Sequence, residues 1–66
     1  MSLTPSQAIL LDQVNHRADA VKQAAQDIYF SEGIALTQQN LMILRRQVSA
    51  LSGEIMRLEV AINDRP

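Results

Sequence analysis

Between residues 41 and 62 the apolar side chains Leu41, Leu44, Val48, Leu51, Ile55, Leu58 and Ile62 recur at alternating spacings of 3 and 4. That rhythm is close to the helical repeat and places all seven along one stripe of an α-helix, whereas a strand would send them to both faces. A stripe sustained this long needs another helix to lie against. The chain supplies one, because Leu11, Val14, Ala18, Val21, Ala25 and Ile28 keep the same rhythm. The fold class expected is therefore all-α with heptad, coiled-coil-like packing.

The two stripes are out of phase. Continued past Ile28, the first would require apolar residues near 32 and 35 and meets Glu32 and Ala35, while the second traces back to Ile34 with Thr37 on the stripe. The break coincides with Ser31-Glu32-Gly33. Gly33 can take the left-handed conformation that ends a helix, and Ser31 could instead cap the next one. A turn there predicts an antiparallel two-helix hairpin in one domain, residues 1–66, rather than a continuous rod. The expected bounds are a helix at about 5–30, a turn at about 31–34 and a helix at about 35–63. The first helix has a strong start: Thr4 can cap, Pro5 loses nothing at the first helical position, and Gln7 can complete a capping box. Asn63, Asp64 and Pro66 mark the end of the second.

At 66 residues a single core contributes only about 3–5 kcal/mol, and small chains usually add disulfides, a metal or a partner. With no cysteine and a lone histidine, His16, association is the expected source of extra stability. A formal charge of −1 gives no footprint for nucleic acid. The longest apolar run, Leu41-Met42-Ile43-Leu44, falls far short of a membrane span. No basic segment leads into an apolar stretch at the N-terminus, so no secretory signal is expected and a cytoplasmic setting is. Met1 and the capped start set the expectation of a free-standing chain.

Packed on each other, the stripes form the expected hairpin core: Leu11, Val14, Ala18, Val21, Ala25 and Ile28 against Leu41, Leu44, Val48, Leu51, Ile55, Leu58 and Ile62. Ala18 and Ala25 are expected to sit against Leu51 and Leu44, since small residues let helices approach closely. Apolar residues remain outside the stripes, among them Met42, Ile43, Ala50, Met56 and Val60 on the second helix and Leu10, Tyr29 and Phe30 on the first. A lone hairpin has no third layer to cover them. They form the expected partner-binding surface, closing a four-helix bundle with a second copy or receiving a partner helix. Met42 and Met56 suit an adaptable surface of this kind.

The polar residues carry no catalytic pattern. Asp12 and His16 stand one helical turn apart, but no third ligand joins them on that face. Asp19–Lys22 and Glu54–Arg57 read as ordinary surface pairs. Arg45 and Arg46, flanked by apolar residues, read as a solvated helix edge, and Gly53 as a glycine tolerated mid-helix on a solvent face at a cost of about 1 kcal/mol. There is no phosphate loop and no nucleophile with a plausible base. No enzyme activity, cofactor, metal or nucleic-acid partner is expected.

The glycine-marked turn at Gly33, the Gln38-Gln39 start to the second helix and the stretch Gln47-Val48-Ser49-Ala50-Leu51 before Ile55 resemble the small co-chaperones of type III secretion needle subunits. The likeness covers roughly the second half of the chain. It implies a bacterial helical hairpin that pairs with a larger partner through exposed apolar residues of both helices. The residues fit two other classes as well. One is the small helical dimers of phages and mobile elements that inhibit or regulate by covering a host protein, or less directly by touching nucleic acid. The other is a purely structural oligomerisation module. All share one expectation, a module that binds protein, as homodimer or heterocomplex.

Overall fold

The computed structural model describes residues 2–63. Helix α1 runs Pro5–Tyr29 and helix α2 runs Ile34–Asn63, folded back antiparallel on one another. The expected end signals at Asp64 and Pro66 lie outside the described residues.

Both ends of α1 are built from local chemistry. The Gln7 amide N–H donates to Thr4 Oγ1 at 3.2 Å, and the Thr4 N–H donates to Gln7 Oε1 at 3.0 Å, a complete capping box with Pro5 just inside it. This satisfies donors that the first turn of a helix leaves without partners. At the other end Gly33 has φ +85°, which lets the chain reverse at little steric cost. Ser31 does not cap α2. Its hydroxyl donates to the Asp27 carbonyl at 2.9 Å and accepts from Asn40 Nδ2 at 2.7 Å, closing α1 and tying the turn to α2. Thr37 completes the turn, its hydroxyl donating to the Gly33 carbonyl at 2.8 Å.

The result is a rod, 53 × 15 × 13 Å. Two helices cannot surround a side chain on all sides, so the seam between them is thin. Among the described residues only Ala24 is buried outright, at 5% exposure. The seam residues on either side of it are half-buried.

Candidate protein-binding face

Which residues form the seam decides what the hairpin presents outside it. From α1 the residues that turn inward are Gln7, Leu10, Val14, Arg17, Val21, Ala24, Ile28 and, beyond the helix, Ser31, with Ala20 half-buried beside them. From α2 they are Thr37, Asn40, Leu44, Gln47, Leu51, Glu54, Leu58 and Ala61, with Ala50, Gly53 and Ile62 half-buried beside them. The rhythm is the expected 3 and 4, but the stripe is displaced by one residue at every other position. Val14, Val21 and Ile28 lie in the seam, as do Leu44, Leu51 and Leu58. Their companions differ from expectation. Leu11, Ala18 and Ala25 give way to Leu10, Arg17 and Ala24, and Leu41, Val48 and Ile55 give way to Asn40, Gln47 and Glu54.

The displacement corrects several expectations. Leu11, Ala18, Ala25, Leu41, Val48 and Ile55 are exposed rather than core, while Ile62 is half-buried. Leu10 and Ala50, expected on an outer surface, are half-buried instead. Ala18 and Ala25 therefore do not pack on Leu51 and Leu44. The physical reason is a set of polar bonds made across the seam in this register.

Those bonds lie at three levels. At the open end, Gln7 Nε2 donates to the Ala61 carbonyl at 3.1 Å. That carbonyl is in the last turn of α2, where helix geometry provides no backbone donor. Midway, Arg17 donates through Nε to Glu54 Oε1 at 3.0 Å and through Nη1 to Gln47 Oε1 at 2.7 Å. Its Nη2 also stands 3.0 Å from Glu54 Oε1, the one ion pair among the described residues. At the turn, Asn40 reaches Ser31. Polar residues inside a helix–helix seam fix its register at a cost in stability, and here almost every one finds a partner; the exception is Glu54 Oε2, buried without one.

The Arg17–Glu54 pair was not expected from the sequence, where Glu54 reads as a partner for Arg57 on its own helix. The signal that could have found it is the row Asn40, Gln47, Glu54, polar residues at seven-residue intervals. It only becomes meaningful once Arg17 is brought opposite.

With the polar row inside, the apolar row moves out. In an antiparallel pair, the positions one residue beyond the inward rows of the two helices flank the seam on the same side. One face of the hairpin is thus lined by Leu11, Ala18 and Ala25 from α1 and by Leu41, Val48 and Ile55 from α2. The Gln7–Ala61 and Arg17–Glu54 bonds set the register. Carried along the helices at equal rise, the Gln7–Ala61 bond puts Leu11 level with Arg57, Ala18 with Ala50 and Ala25 with Ile43. Ile55, Val48 and Leu41 thus each sit two residues, about 3 Å, nearer the turn than their α1 neighbours on this face. The three large α2 side chains keep 49% (Leu41), 47% (Val48) and 39% (Ile55) of their surface in solvent. The opposite face is more polar, with an open recess lined by Gln13, His16, Arg17, Glu54 and Arg57.

The residues expected to bind a partner are not gathered on this face. Met42, Met56 and Val60 lie on the outer surface of α2, exposed, with Arg45, Arg46, Ser49 and Glu59 interspersed. Ile43 is exposed beside the seam on its polar side. Tyr29 and Phe30 stand exposed at the turn, their rings in an edge-to-face contact with centroids 5.2 Å apart.

Among the described residues no three His, Asp or Glu side chains are placed to hold a metal ion. Neither helix has a stretch long and apolar enough to cross a membrane. No protein-family model, curated protein or solved structure matches the chain.

Proposed function

We propose that the chain is a non-enzymatic protein-binding module, acting in the cytoplasm, that works by covering its Leu11–Ala18–Ala25/Leu41–Val48–Ile55 face with another protein surface. The observation that carries this reading is the choice of register. Two registers are open to these helices, sharing Leu44, Leu51 and Leu58 and differing by a turn of roughly 50° about each helix axis. Rotating the apolar row inward would bury Leu41, Val48 and Ile55 further but would break the polar bonds of the seam.

The magnitudes on the two sides are close. Full burial of a Leu, Val or Ile side chain is worth about 1.5–3 kcal/mol. Leu41, Val48 and Ile55 are each a little over half covered, so completing their burial is worth about 1 kcal/mol apiece. The polar bonds that hold the observed register contribute about 0.5–1.5 kcal/mol each, a similar sum. The two arrangements balance within the isolated hairpin. A partner on the exposed face tips the balance, because the hairpin then keeps its polar bonds and buries the apolar row too. Covering an apolar surface in this manner suits a chaperone, adaptor or inhibitor, and the likeness to needle-subunit co-chaperones points the same way.

A photo-reactive benzophenone side chain tests the reading in the cells that make the protein. Placed at Val48 it should give a covalent adduct to a protein, whereas at Ser49, on the outer surface of the same helix turn, it should give little. No adduct from Val48, or equal adducts from both positions, would sink the reading.

A further inference from the structure

The occupant of this face can be named, on the premise that the face is a docking surface. We propose that it is a second copy of the chain, related by a twofold axis running parallel to the helices, so that the two hairpins close one four-helix bundle.

The area fits a dimer. The chain exposes 5361 Å², where a compact monomer of its mass, 7.4 kDa, exposes about 4,200 Å². The surplus of about 1,100 Å² exceeds the roughly 800 Å² that each partner gives up in a standard interface.

The shape of the face is self-complementary. Its α1 edge is low at Ala18 and Ala25, and its α2 edge stands high at Val48 and Leu41, each displaced by about 3 Å toward the turn. A twofold axis along the hairpin lays α2 of each copy over α1 of the other without shifting the levels. Leu41 then lies beside the partner's Ala25, Val48 beside the partner's Ala18 and Ile55 beside the partner's Leu11, each about 3 Å to the turn side. Large side chains fill the spaces over small ones, which is how helix layers reach native packing density. Every neighbouring pair of helices is also antiparallel, the up-and-down arrangement of simple bundles. An axis across the hairpin would instead set alanines on alanines and large residues on large ones, leaving a void beside a collision. The polar Asn15, Lys22, Arg45 and Ser52 fall at the rim. Lys22 and the partner's Arg45 approach there as like charges, where long side chains can turn apart into solvent.

Light scattering on the purified chain after size exclusion should give a mass near twice 7.4 kDa, falling to one chain for Val48→Glu. Because the sequence contains no cysteine, the geometry can be read from Ala25→Cys and Leu41→Cys made in separate chains. Oxidising their mixture should join the two variants to each other, while each alone stays reduced. A wild-type mass other than two chains would overturn the proposal, as would disulfides between like variants without mixed ones. A single-chain mass with a Val48 adduct to a different protein overturns only the second copy, and the docking reading stands. Loss of the Val48 adduct overturns both.

Discussion

Arg17 on α1 donates to Glu54 on α2 at 3.0 Å, linking residues 37 apart in the sequence. Glu54 keeps only 14% of its side chain in solvent and Arg17 keeps 35%, so the pair is largely withdrawn from water. Removing one partner leaves the other short of a hydrogen bond in a half-dry site, whereas replacing both with apolar groups removes the need for one. Arg17→Ala is expected to cost about 1–3 kcal/mol in urea unfolding. The double variant Arg17→Leu/Glu54→Leu should recover most of that. Costs that simply add would show that the two side chains do not act as a pair.

The two glycines should respond with opposite signs. A Cβ added at Gly53 meets nothing within 4 Å, and the backbone there is ordinary helix. Gly53→Ala should therefore stabilise by about 0.5–1 kcal/mol, the difference in helix propensity. Gly33 also has open space around it, but its φ of +85° strains any residue with a side chain. Gly33→Ala should destabilise by about 1–2 kcal/mol. Thermal unfolding of the two variants checks this, and shifts in the same direction would count against it.

Gln7 uses its whole amide, the oxygen on Thr4 and the nitrogen on Ala61. Thr4→Ala removes the cap alone and should cost about 1 kcal/mol. Gln7→Ala removes the reciprocal half of the box and the clamp on α2 together, so its effect should reach both helices. Hydrogen exchange is the suitable measurement. Thr4→Ala should speed exchange in the first turns of α1 only, and Gln7→Ala should speed it there and in the last turns of α2. An unchanged α2 end in Gln7→Ala would mean that the clamp contributes nothing.

Much of the fold was legible in the sequence because it depends on local chemistry. Thr4, Pro5 and Gln7 announce the start of α1, Gly33 announces the reversal, and the 3–4 spacing announces helices that pack. The register was not legible, for a reason visible in α2. Leu44, Leu51 and Leu58 have apolar neighbours at 41, 48 and 55 and polar ones at 40, 47 and 54, and periodicity favours the apolar set. Choosing correctly requires knowing that Arg17 will stand opposite Glu54 and Gln47, a fact about two helices that neither stripe contains. The same choice displaced the candidate face. Residues assigned to the core became the outer row, while Met42, Met56 and Val60 stand exposed on the outer flank of α2.

In the proposed dimer the apolar row left outside the hairpin is covered by a second copy. Thermal unfolding followed over a hundredfold range of protein concentration, with wild type beside Val48→Glu, tests it most directly. Association ties stability to concentration by mass action, so the wild-type midpoint should climb with concentration. The Val48→Glu midpoint should be lower and flat. A wild-type midpoint independent of concentration and matched by the variant would contradict the account.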